Sequence, residues 1–116
     1  MSAEADVAGV VALAETEFGL LDIVHNNAAA MHLIPKDRPV ADCDVEYWDL
    51  TMAINLRGQM LVCKHAVLGM IRCGGGSIIN TSSAAALAGT DADCLRSVEG
   101  RRLTELEHAA HEHRIR

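Results

Sequence analysis

Val7, Val10, Val11, Ala14 and Phe18 recur at helical spacing between residues 3 and 18, while Glu4, Asp6, Glu15 and Glu17 fall elsewhere on the wheel. This pattern predicts an amphipathic helix that stops at Gly19. Leu20 to Val24 is a short apolar run between that glycine and the pair Asn26-Asn27, which predicts a buried strand leaving into a tight turn. The stretch from Met31 to Trp48 carries both prolines and mixed charge and predicts a loop with a short helical start. Asp44 has the position of a helix N-cap, and residues 45–71 form one long periodic stretch. Trp48, Met52, Leu56, Met60, Val67 and Met70 lie close to one stripe of it, expected to face the core. Gly74-Gly75-Gly76 ends the helix, and Ile78-Ile79 predicts a second strand, with Ser82 and Ser83 just past its carboxyl end.

Helix, strand, helix, strand, helix is the rhythm of a parallel α/β sheet. The expected fold is therefore a partial Rossmann-type, doubly wound parallel sheet with flanking helices, covering residues 1–93. After Asp91 the character changes. "LRSVEGRRLTELEHAAHEHRIR" is rich in charge and poor in β-branched residues, so residues 94–116 are expected to be a divergent helical tail. Two strands are too few for a self-sufficient sheet.

Composition narrows the function classes. With 116 residues the chain has room for one small domain. Only three residues are aromatic (one Trp, one Tyr and one Phe), so the core must come from aliphatic side chains and methionine. A net charge of −6 argues against nucleic acid as the partner, because phosphate binding needs a concentrated basic face. No apolar stretch is long enough to span a bilayer, and no signal peptide is visible, so a cytoplasmic protein is expected. Cys43, Cys63, Cys73 and Cys94 show no paired spacing and read as reduced thiols. His108, His111 and His113 do not converge on one helical face, so a charged surface helix is expected there and no metal site.

Candidate chemistry sits at the strand ends, because ligands of open parallel sheets collect outside the carboxyl ends of the strands. Asn26 or Asn27 can hold turn geometry and offer amides to a ligand. Asn55 lies inside a helix where Asn is a poor helix former, which points to a kink, a water or a polar site. Ser83 follows a strand but needs a partner to move its proton.

Taken together, "LDIVHNNAAA", "AINLRGQMLVCKHAVLGMI" and "GGGSIINTSSAAALAG" resemble consecutive pieces of the short-chain dehydrogenase/reductase family. The resemblance implies NAD(P)-dependent oxidation or reduction of a small alcohol or carbonyl substrate. It places Asn27, Ala28 and Ala29 along the NAD or NADP cleft, with Ala29 standing where the family usually has Gly. It makes Asn55 the helix residue that holds a proton-relay water, and Ser83 the residue that orients the substrate oxygen. In that chemistry a Tyr moves the proton, assisted by a Lys four residues later and about thirteen residues after the serine.

Arg96 and Gly100 occupy those two positions, and the single tyrosine, Tyr47, precedes Ser83. An Arg cannot act as the acid because its pKa is too high. The Gly-rich phosphate turn that opens the family pattern has no counterpart either, since Gly9 and Gly19 are isolated. The expectation is thus a truncated and catalytically impaired relative. The alternative is a non-catalytic interaction module or remnant, self-associating through helix 45–71 or docking on a full-length relative. Residues 95–100, "LRSVEG", can be encoded CTA CGC TCG GTC GAA GGC. Read from the second base, that string gives Tyr-Ala-Arg-Ser-Lys, so the tail is expected to be a frame-shifted remnant.

Overall fold

A computed structural model of the chain describes residues 3–82. Ser83 and the tail 94–116 lie outside the described residues. Helix α1 spans Glu4–Phe18, and Gly19 closes it in the left-handed region at φ 80°, its N–H bonded to Glu15 O. A residue without Cβ adopts that conformation at no steric cost. Strand β1 is Ile23–Asn26, three residues later at its start than the apolar run predicts. The reason is pairing: Leu20 and Leu21 lead into the sheet, and the ladder with strand β2 (Ser77–Asn80) begins only at Ile23.

β1 and β2 are parallel, pairing Ile23 with Ser77, Val24 with Ile78, His25 with Ile79 and Asn26 with Asn80. Alternation divides these residues between two faces. Val24, Asn26, Ile78 and Asn80 are buried or half-buried, whereas Ile23, His25, Ser77 and Ile79 are exposed. Parallel sheets are normally covered on both faces. Here one face is covered, and Ile23 remains 64 % and Ile79 50 % exposed.

Between the strands the chain makes two 3₁₀ turns, Met31–Lys36 and Val40–Asp42. Helix α2, Val45–Met52, follows. Asp44 caps α2 as its sequence position implies, Oδ1 accepting from Glu46 N–H at 2.8 Å. Helix α3 is Gly58–Arg72. The expected single helix is instead interrupted by a π turn over Ala53–Arg57, closed by the five-residue bond from Gly58 N–H to Ala53 O.

The interruption changes which face is inside. An α-helix turns about 100° per residue, so a four-residue step overshoots by about 40° and three such steps drift about 120°. A π turn absorbs one extra residue, about 100° of that drift. Tyr47, Thr51, Asn55 and Gln59 therefore stay on one line, and all four are buried. The stripe expected to face the core is displaced: Trp48, Met52 and Leu56 are half-buried and Met60 is exposed, while Val67 is half-buried and Met70 buried.

Two small cores result. Ala30, Leu33 and Tyr47 pack together, with Cys43, Trp48 and Ile54 against them. Val7, Val10 and Val11 of α1 line an apolar crevice with Val62 of α3. Two ion pairs rim the α1–α3 contact, Lys64 Nζ to Glu4 Oε1 at 2.6 Å and Arg72 to Glu15 at 3.0 Å, and His65 Nε2 lies within hydrogen-bond distance of the same Glu4 oxygen at 3.2 Å. These are exposed and contribute little each.

Lys64 bonds to and attracts the Glu4 carboxylate, holding its pKa below the ordinary carboxylate value. A carboxyl whose pKa is depressed in the folded state stabilises fully above its unfolded pKa and loses that contribution as pH falls through the folded one. Lys64→Met should return the Glu4 midpoint to the ordinary range in an NMR pH titration. Met70 is 3 % exposed and lies against the backbone at Gly76. Met70→Ala should cost about 2–5 kcal/mol in urea unfolding.

Candidate functional site

The carboxyl ends of β1 and β2 meet at the pair Asn26 and Asn80. Asn26 is 6 % exposed, and its side-chain Nδ2 donates to Asn80 Oδ1 at 2.8 Å and to Cys63 Sγ at 3.4 Å. Its backbone carbonyl accepts from Thr81 N–H at 2.9 Å and from Gln59 Nε2 at 3.4 Å. A buried polar group is costly unless paired, and here the side-chain Nδ2 and the backbone carbonyl of Asn26 both find partners.

Immediately beyond this node come Asn27 and Ala28, both exposed, and Ala29, half-buried. Ala30 follows at φ −81°, ψ 56°, with Met31 N–H bonded to Ala29 O at 2.9 Å. Those angles and that two-residue bond make an inverse γ-turn. The amide of Ala30 itself is taken by Asn55: its N–H donates to Asn55 Oδ1 at 2.8 Å, in a buried setting. Because Oδ1 is the acceptor, the amide orientation of Asn55 is determined, and Nδ2 is the group left to donate to a second partner.

Thus the structure brings Asn55 onto the turn that carries Asn27, Ala28 and Ala29. Ser83 lies outside the described residues, one position past Ser82, whose buried Oγ has no partner among the described residues. Thr51 Oγ1 is likewise buried without a partner among them. Tyr47 is 6 % exposed inside the Ala30–Leu33 core, a packing position.

Sequence reasoning did not single out Thr51, Gln59, Cys63 or Asn80. The signal was present: Thr51, Asn55, Gln59 and Cys63 repeat every four residues along the helical stretch. Of the cysteines expected to be reduced, Cys63 and Cys73 carry free thiols, but Cys43 is disulfide-bonded. Its place in the loop against Tyr47 and Leu33 is set by tertiary packing, which a linear spacing rule does not see. Burial pushes the Cys63 thiol up from its ordinary pKa, against the weaker opposing effect of its bond with Asn26. No group of three His, Cys, Asp or Glu side chains suited to a metal occurs among the described residues, and no helix among them is long and apolar enough to cross a membrane.

A parallel ladder ending in an asparagine pair, an alanine turn and an interior helix asparagine bonded to that turn invites comparison with known proteins. The family model described as enoyl-(acyl carrier protein) reductase matches residues 1–95. The chain belongs to the short-chain dehydrogenase/reductase family. A short-chain type dehydrogenase/reductase of Bradyrhizobium diazoefficiens is 48 % identical over 91 residues, 76 % of this chain and 32 % of that protein. D-threitol dehydrogenase of Mycolicibacterium smegmatis is 39 % identical over 90 residues, 75 % of this chain and 33 % of its own length. The structure of NAD⁺-bound xylitol dehydrogenase superposes with a TM-score of 0.83 at 27 % identity, covering 96 % of this chain and 42 % of that one. The Rossmann-type α/β architecture expected of the family is therefore present, in a chain spanning about a third of the length of the curated relatives it matches.

For short-chain dehydrogenases the cofactor belongs at the strand ends, and residues 27–29 fit such a group. Ala28 and Ala29 carry only a Cβ, and Asn27 and Ala28 are exposed beside the end of β1, so a flat ring can approach the backbone without displacing a side chain. Replacing Asn55 by Leu leaves the Ala30 amide buried and unpaired, and should cost about 1–3 kcal/mol in chemical denaturation. Iodoacetamide should modify exposed Cys73 well before half-buried Cys63 at pH 8, read by peptide mass spectrometry.

Proposed function

We propose that the chain carries the central part of an NAD(P)-dependent oxidoreductase site that interconverts a small alcohol and its carbonyl. The observation that carries this reading is the Ala30 N–H to Asn55 Oδ1 bond. It anchors the turn bearing Asn27, Ala28 and Ala29 to the helix residue whose remaining amide donor can hold a proton-relay water. A bound nicotinamide supplies or accepts the hydride. Ser83 orients the substrate oxygen, and Asn27, Ala28 and Ala29 line the cofactor cleft. NAD or NADP both remain compatible with these residues. The polyol names of two similar proteins, threitol and xylitol dehydrogenase, make a small polyol the first substrate to try.

As a separate 116-residue polypeptide the chain is catalytically impaired on this reading. Arg96 and Gly100 stand where the proton-donating Tyr and its Lys belong. Absence of the general acid alone removes on the order of 10²–10⁴ in rate. The tail 94–116 is then a frame-shifted remnant, and the gene sequence tests that directly: codons 95–100 should read Tyr and Lys, four apart, from the second base. Any other codon choice ends that part of the reading.

Two measurements test the site. Millimolar NAD⁺ should shift the backbone amide signals of residues 27–30 in a ¹⁵N spectrum, and Asn55→Leu should abolish the shifts. Polyol oxidation with NAD⁺ should run at least about 10²-fold below the ordinary enzymatic turnover of about 10 s⁻¹. Unchanged amides in the native chain would overturn the cofactor cleft, and ordinary turnover would overturn the impairment.

One observation favours a second reading, a non-catalytic self-associating module. Leu50, Met52, Leu56 and Met60 line an outward groove on α2, the π turn and α3, with Asp49 and Arg57 along it. On this reading the chain sediments as a concentration-dependent dimer and Met60→Glu renders it monomeric, whereas a monomer at all concentrations removes the module.

A further inference from the structure

Gln59 is 1 % exposed, and Cys63 is the next residue on the same four-residue repeat. Neither touches the turn 27–29 among the described contacts, and neither belongs to the residues assigned above. Both hold Asn26. Gln59 donates to its carbonyl at 3.4 Å, and Cys63 Sγ accepts from its Nδ2 at 3.4 Å and lies 3.8 Å from Asn80 Oδ1.

Asn26 is the last residue of β1 and the one from which residues 27–29 emerge. Its carbonyl also accepts from Thr81 N–H, the first residue after β2. Both strand exits are thereby tied through one residue to one helix face. Four residues earlier on that face, Asn55 grips the far side of the same turn at Ala30. The turn is held at both ends from one continuous helical stretch, by Asn55 in the π turn and by Gln59 and Cys63 in α3.

We infer that Gln59 and Cys63 are positioning residues for the turn 27–29, acting through Asn26. This inference rests on the reading of that turn as the cofactor cleft only for its functional consequence; the mechanical part stands on the contacts themselves. The polar seam costs desolvation that an apolar helix face would avoid. Its return is orientation: a strand exit held by side-chain bonds has one geometry, whereas an apolar contact tolerates sliding.

The test uses the full chain and three variants. Gln59→Met keeps the stem and removes the donor, Cys63→Val keeps the volume and removes the acceptor, and Cys63→Ser keeps a polar partner for Asn26. Native-state hydrogen exchange is followed at the amides of residues 27–30 and, as an internal reference, at Leu61 and Ala66 in α3. Gln59→Met and Cys63→Val should speed exchange at residues 27–30 about tenfold, the scale of one buried hydrogen bond, with the α3 reference unmoved. Cys63→Ser should restore the protection. Unchanged exchange in the turn, or equal acceleration in turn and α3, overturns the inference, as does a Ser variant indistinguishable from Val.

A parallel NAD⁺ titration separates this from the function above. If NAD⁺ perturbs the native chain, Gln59→Met should weaken its apparent affinity about tenfold, and unchanged affinity overturns the cofactor-facing part of the inference. If NAD⁺ perturbs nothing in the native chain, the cofactor reading falls while the exchange result still decides the clamp.

Discussion

A single buried hydrogen bond, from the Ala30 amide to the carbonyl oxygen of Asn55, decides where the rest of the site lies. It joins the turn leaving β1 to the middle of the long helical stretch, elements 25 residues apart in sequence. A buried backbone N–H needs a partner, and in an irregular turn no ladder provides one. Asn supplies the oxygen from inside a helix, where its own propensity is poor. The π turn around it is the geometric counterpart, since the extra residue brings Asn55 into line with Thr51 and Gln59 and keeps that line facing the strand ends. π turns inside helices are frequent at functional sites.

The consequence is an inverted helix surface. Between residues 47 and 60 the polar side chains Thr51, Asn55 and Gln59 face inward, while Leu50, Met52, Leu56 and Met60 lie half-buried or exposed. Charge and packing compensate elsewhere. The α1–α3 contact is apolar within and rimmed by ion pairs, and α3 in turn packs on β1. The opposite face keeps Ile23 and Ile79 in solvent, an arrangement that parallel sheets ordinarily resolve with a second layer of helices.

Function, on this view, is a matter of exits. β1 and β2 end opposite one another at Asn26 and Asn80, and the alanine turn that follows is held from one helix at two points. On the function proposed above, a nicotinamide would sit where these exits converge, with the small side chains at 28 and 29 leaving its approach open. Tyr47, the only tyrosine, packs in the core with Ala30 and Leu33.

Much of this was legible from residues alone. The amphipathic spacing of Val7 and Val11, the stop at Gly19, the cap at Asp44 and the apolar pair Ile78-Ile79 announce their elements, because local backbone chemistry decides them. The ordered motifs "HNNAAA", "AINLRG" and "GGGSIINTSS" identified the family and pointed to Asn55, an isolated misfit in a helix. The start of β1, the disulfide-bonded state of Cys43 and the buried face of the helix were not legible. Each depends on contacts distant in sequence: Ser77 for Ile23, the loop packing for Cys43, and for the helix face the turn at Ala30 that Asn55 holds and the end of β1 that Gln59 holds. A four-residue repeat of polar side chains and a four-residue repeat of apolar ones run in parallel through residues 47–60, and hydrophobicity alone favours the wrong one. Only the tertiary structure, by presenting unsatisfied strand-exit groups to one side of the helix, decides that the polar line turns inward.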